Sequence, residues 1–187
     1  GTSYNSTAPP ACAKNHITVG AINSNDESMT YFSSWGPADD GRIKPDISAP
    51  GCQDDDDGGV TSCSSSGGYS NKCGTSMACP TVTGLSALII QDWRNLYPGE
   101  PDPMNSTLKA LLAHTAEDKF NQGPDCQYGY GSVRVVNAIE HVRAENHAEL
   151  EIAQDETVEM LIFAEEPGMI KATIAWDDIP ATPLVIP

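Results

Sequence analysis

Apolar positions along this chain change rhythm three times. Ile17, Val19 and Ala21 alternate with polar neighbours and predict a short buried strand that runs out into turn residues at 23–26. Residues 29–33 predict a second short strand. Residues 45–51, Pro-Asp-Ile-Ser-Ala-Pro-Gly, form an extended segment fenced by prolines. Residues 1–15 and the Ser/Gly-rich stretch 62–70 read as surface loops. Over residues 76–93 the spacing becomes helical. Ala78, Val82, Leu85, Leu88 and Ile89 share a face, while Ala87 and Ile90 carry apolar surface almost all round. Such a helix belongs in the centre of a domain, and Pro80 is tolerated in its first turn. Further helices are predicted over 106–114, capped by Asn105 or Ser106, and over 135–143. Short strands followed by long helices indicate an α/β fold.

Past residue 145 the period drops to two. Val158, Met160 and Ile162, and again Ile170, Ala172, Ile174 and Trp176, predict strands of a separate β unit, with another over 150–152. The chain therefore divides into residues 1–144 and 145–187. So few strands do not make a stable sandwich, and the second unit is expected to be cut short.

At 187 residues there is room for one domain or a domain and a fraction. The formal net charge of −16, from 10 Lys plus Arg against 26 Asp plus Glu, repels phosphate backbones and argues against a nucleic-acid binder. No apolar run approaches the roughly 18 residues of a membrane span. The chain opens at Gly1 with neither an initiator Met nor a leader-like segment, as a processed piece or a fragment would. Its six cysteines form no CxxC pair and no Cys/His ladder, which argues against structural zinc. They suit an exported protein with one or two disulfides, and Cys52 with Cys73 is the favoured pair.

Gly74-Thr75-Ser76-Met77-Ala78 places a hydroxyl among small residues where the long helix begins. A nucleophile gains there from close approach at Gly74, from the free N–H groups of the first turn and from the positive end of the helix dipole. The bland alternative is that Thr75 or Ser76 merely caps the helix.

The longer run Gly74-Thr75-Ser76-Met77-Ala78-Cys79-Pro80-Thr81-Val82-Thr83-Gly84 resembles the nucleophile signature of the subtilisin-like serine proteases, Gly-Thr-Ser-Met-Ala-x-Pro-His-Val-Ala-Gly. Three further blocks match that family in order. They are Ala13-Lys14-Asn15-His16-Ile17-Thr18-Val19-Gly20-Ala21, the stretch from Phe32-Ser33-Ser34-Trp35-Gly36-Pro37 through Ala49-Pro50-Gly51, and Tyr128-Gly129-Tyr130-Gly131-Ser132-Val133. The resemblance implies the C-terminal half of a parallel-sheet catalytic domain in a secreted endopeptidase that acts on proteins or peptides. Ser76 would attack the scissile carbonyl, its N–H would be one oxyanion donor, and Thr75 a supporting hydroxyl. Ser6 and Thr7, in the loop 6–10, would contribute to the floor of the substrate pocket. Thr81 and Thr83 stand where the family usually has His and Ala, and Cys79 is expected to pack as a small buried hydrophobe.

In this family the order is Asp, then His, then Ser, and the first two lie well upstream of these blocks, as does the oxyanion-hole Asn. The implied partner is the N-terminal half of the same protein, and this chain alone is expected to be inactive. Asn5 lacks the small-residue context of an oxyanion Asn. His16 and His114 do not sit where the family keeps its base, while His141 and His147 fall at a helix end and in the linker; all four read as structural or solvated. No cofactor is needed for the chemistry. Trp176-Asp177-Asp178-Ile179-Pro180 resembles a strand and turn of the β-sandwich that follows the catalytic domain in larger members, where structural calcium is often bound. No metal ligand is assigned here, and the acidic run 54–57 lacks the spacing of a calcium loop and reads as a solvated face. Asn5-Ser6-Thr7 and Asn105-Ser106-Thr107 are glycosylation sequons by pattern.

Two other readings remain open on sequence. An α/β-hydrolase esterase is suggested by Gly74-x-Ser76-x-Ala78, but it needs a hydrophobic strand just before the serine, where residues 64–72 are polar and Gly-rich. An inactive, acidic, secreted binding or structural module is the non-enzymatic alternative.

Overall fold

A computed structural model describes residues 3–54, 58–162, 168 and 170–177. Strands β1 (Val19–Asn23) and β2 (Ile47–Cys52) pair in parallel, Val19 opposite Ile47 and Ala21 opposite Ala49. Both faces of β2 are buried, as in parallel strands covered on two sides. On one face Ala21, Ile47 and Ala49 join a core with Ala78, Val82 and Ile89 of the long helix α1 (Thr75–Leu96). The other face is small and polar. The Ser33 hydroxyl accepts from the Ala21 N–H at 3.1 Å, and a Cβ on Gly20 would come within 2.8 Å of the Ser48 hydroxyl. The free edge of β2 is taken by residues 130–133: Ser48 donates to Gly131 O at 2.9 Å and accepts from Val133 N at 2.9 Å. Helices α2 (Asn105–Thr115) and α3 (Val135–Arg143) close the far side, with Leu111, Leu112, Ala138 and Val142 in the same core.

Several sequence expectations are corrected. Residues 29–33 make only one bridge, Met29 to Ile22, because the Thr30 N–H and hydroxyl both turn back onto the Ala21 carbonyl instead of continuing a ladder. The stretch read as loop is partly a hairpin, β3 (Val60–Cys63) antiparallel to β4 (Tyr69–Lys72). It is largely exposed on both faces and so carries no apolar alternation to read. Residues 55–57 of the acidic run lie outside the described residues.

Helix α1 buries Ala78, Val82, Ile89 and Trp93, whereas Ala87 is exposed and Leu88 is 48% exposed, so one flank of this apolar helix is uncovered among the described residues. Pro80 sits beyond the first turn, and its missing N–H is the one that the Ser76 carbonyl would have accepted. Neither Asn105 nor Ser106 caps α2. Met104 is the cap residue, and the Glu149 carboxylate accepts from the Met104 N–H at 2.8 Å and from the Thr107 hydroxyl.

The β strands expected after residue 145 are not formed among the described residues. Alternation chooses a face but supplies no hydrogen-bonded neighbour, and Leu161 and Ile174 stand open to solvent. Residues 171–177 dock on α2 by other means. Lys171 donates to the His114 carbonyl, the His114 Nδ1 and Thr173 hydroxyl lie 3.0 Å apart, and Asn105 donates to Asp177 at 3.1 Å.

Candidate active site

Ser76 is the second residue of α1, and its side chain is exposed, as is that of Thr75. The cap residue is Gly74, with no side-chain cap, and its carbonyl accepts from the Met77 N–H at 2.9 Å. Neither Thr75 nor Ser76 therefore serves as the helix cap. The first-turn N–H groups at these residues have no acceptor within the helix, and both residues are exposed. No acidic side chain stands in that turn to offset the positive dipole end.

The turn is fastened to the sheet at two adjacent points. The Gly74 N–H donates to Gly51 O at 2.9 Å, and Cys52 and Cys73 form the disulfide expected from the sequence. Contact is close: a Cβ on Gly51 would stand 2.7 Å from the Ala21 Cβ, 2.8 Å from the Gly74 carbonyl oxygen and 3.2 Å from the Ala78 Cβ. Thr81 and Thr83 satisfy their hydroxyls on the carbonyls one turn back, Met77 and Cys79, at 3.0 and 3.1 Å. Cys79 is exposed, contrary to expectation, because it lies three residues after Ser76 on the uncovered flank and not on the flank of Ala78 and Val82.

The histidines are all placed elsewhere. His16 is exposed, and its carbonyl accepts from Lys44 at 3.1 Å. His147 packs on Trp93 and Tyr97, with ring centroids at 4.8 and 6.1 Å, and burial lowers its pKa. Trp93 lies 17 residues along α1 from Ser76, roughly 25 Å at the helical rise. His114 and His141 face each other at 4.7 Å. Two residues past His141, Arg143 pairs with Asp92 near the same far end of α1. The Asn5 N–H donates to Gly36 O, and the Ser6 hydroxyl accepts from the Trp35 N–H at 2.9 Å, so this loop is braced against Trp35. The Thr7 N–H also reaches Trp35 O, at 3.3 Å. The strand that precedes Ser76, β4, is an exposed hairpin strand and not the buried strand of a hydrolase elbow. Among the described residues no cluster of three or more His, Cys, Asp or Glu could hold a metal.

Sequence reasoning missed a charge cluster at the start of β2. Lys44, 1% exposed, sits 2.6 Å from Asp46, whose other oxygen is 3.0 Å from Lys109, and the Thr18 N–H also donates to Asp46 at 2.7 Å. Burial lowers the Lys44 pKa, against the opposing pull of the Asp46 carboxylate. The signal was present only as Lys-Pro-Asp, and Lys109 joins from a distant helix.

The family model described as the subtilase family matches residues 1–131. The chain belongs to the subtilase family. It is 31% identical over 159 residues to the serine protease AprX of Bacillus subtilis, an alignment covering 74% of this chain and 33% of AprX. It is 41% identical over 95 residues to the C5a peptidase of Streptococcus pyogenes, covering 50% of this chain and 8% of that protein. The chain thus spans a third or less of these relatives. Among solved structures, the CspB protease of Clostridium perfringens superposes with a TM-score of 0.65 at 29% identity, over 75% of this chain and 29% of that one. The mixed α/β architecture with its parallel strand pair agrees with this membership. No helix among the described residues is long and apolar enough to cross a membrane.

Proposed function

We propose that this subtilase chain supplies the nucleophile-bearing part of a serine endopeptidase that hydrolyses proteins or peptides. Ser76 attacks the scissile carbonyl to give an acyl-enzyme, its own N–H helps hold the oxyanion, and Thr75 supports that hole. Ser6 and Thr7 contribute to the substrate-binding surface. The Asp, the His and the oxyanion Asn come from the preceding half of the same protein, which packs on the uncovered flank of α1. Residues 1–144 belong to the catalytic domain, and residues 145–187 begin a second unit. Structural calcium is compatible with the protein but has no part in the chemistry. The acidic surface and the Cys52–Cys73 disulfide suit a secreted protein. The observation that carries this reading is an exposed Ser76 in the uncapped first turn of a helix anchored on the sheet.

A fluorophosphonate probe tests it. The full-length protein is expected to be labelled at Ser76, and Ser76→Ala to abolish labelling, whereas the 187-residue chain alone stays inert for want of a base. Rapid labelling of the isolated chain would show that the base lies within it. A full-length protein that resists labelling would favour the inactive secreted module.

A further inference from the structure

We propose that the Cys52–Cys73 disulfide is a positioning device for Ser76, so that acylation requires the oxidised bond and is lost on its reduction. This inference rests on the reading of Ser76 as the nucleophile.

Geometry carries the argument. Cys73 is three residues before Ser76, and Cys52 is the last residue of β2, wholly buried beside the core strand. Between the two cysteines runs the β3–β4 hairpin, whose strands face solvent. The Cys52 stem is held by backbone bonds from the Ser24 N–H to Cys52 O at 2.9 Å and from the Asn25 N–H to Gln53 O at 3.3 Å, so it is the Cys73 stem that hangs on two adjacent ties, the Gly74 N–H bond to Gly51 O and the disulfide one residue further out. Motion of the hairpin is transmitted directly to Gly74, the cap of α1, which has no side-chain cap of its own to hold it. With the disulfide closed, residues 51, 52, 73 and 74 form a sealed ring at the base of the hairpin, and the Ser76 turn keeps the position set by β2. With it open, the Cys73 stem, which leads directly into the Ser76 turn, is left with the Gly74 N–H bond to Gly51 O as its tie to β2 among the described residues.

The two sulfurs are unequally placed, Cys73 being exposed and Cys52 buried. A dithiol reductant therefore attacks at Cys73, forming a mixed disulfide and releasing the Cys52 thiolate. Its second thiol then displaces Cys73 and leaves as a cyclic disulfide. Two electrons and two protons pass from the dithiol to the two cysteines.

The test uses the full-length protein, first oxidised and then reduced with dithiothreitol, with bond opening verified by mass spectrometry after alkylation. The fluorophosphonate labelling rate is expected to fall at least tenfold on reduction and to return on reoxidation. The near-UV circular dichroism should be unchanged, and for a peptide substrate kcat should drop more than KM rises. The double variant Cys52→Ser/Cys73→Ser should label slowly whatever the redox state, and Cys63→Ser, in the same hairpin, should behave as the parent. Equal labelling rates for the oxidised and verified reduced forms overturn the inference. So does a loss of labelling that coincides with loss of the near-UV signal, since the bond would then only hold the fold together. Failure of the oxidised parent to label at all refutes the nucleophile reading itself, a result distinct from either.

Discussion

Two single residues occupy positions that their neighbours leave little freedom to change, Gly51 at the Ser76 turn and Asp46 at the start of β2. Gly51 is glycine because three groups occupy the space a methyl would need, the Ala21 Cβ, the Gly74 carbonyl and the Ala78 Cβ. Gly51→Ala should push the start of α1 outward and lower the labelling rate of Ser76 in the full-length protein by roughly ten- to a hundredfold. A rate within twofold of the parent would mean the junction relaxes elsewhere. Asp46 is the second such residue, since it is the counter-ion of a lysine that is 1% exposed. Asp46→Asn leaves that ammonium buried without its partner and should cost about 3–5 kcal/mol, read from urea unfolding. A loss below about 1 kcal/mol would mean that Lys44 escapes to water or loses its proton. The cluster was invisible in the sequence because Lys-Pro-Asp looks like any polar turn; what makes it special is Lys109, brought in by α2, and the His16 carbonyl and Thr18 N–H that complete the set of partners.

Elements were legible to the extent that their own side chains determine them. Helical spacing located α1, α2 and α3, and α3 runs over the same residues as expected, because an amphipathic helix satisfies its backbone within itself. Strands depend on neighbours. The β3–β4 hairpin, polar on both faces, gave no periodic signal, and the alternating segments after residue 145 have the signal but no ladder. The Ser76 turn was legible for a different reason, as a run of specific residues from Gly74 to Gly84 that resembles a family signature and not as a periodicity. Where the last described segment meets α2, a pH response follows. His114 touches Thr173 and faces His141 and Lys171. Burial, followed by those two positive neighbours, lowers its pKa. In the unfolded chain it takes up a proton near pH 6.5, earlier on acidification than in the folded protein. Its contribution to stability is therefore full above that pH and is lost as pH falls from there through the lowered folded value. The urea midpoint should decline from pH 7 to pH 5, and His114→Gln should flatten that decline; an equal slope in both proteins would assign the response to other groups.

At the scale of the whole molecule, the sheet joins residues far apart in the chain. The Met29 N–H donates to the Tyr128 hydroxyl across 99 residues, and the Ser48 hydroxyl donates to the Tyr128 carbonyl across 80. Because residues 130–133 take the outer edge of β2, that strand is synthesised well before its neighbour exists. At roughly 5–20 residues per second a ribosome leaves the edge open for about 4–16 s, long enough for another nascent chain to pair with it. Pro50, two residues after Ser48 and so on the same edge of β2, removes one N–H donor from the waiting strand, so the proline within this segment also guards it during translation.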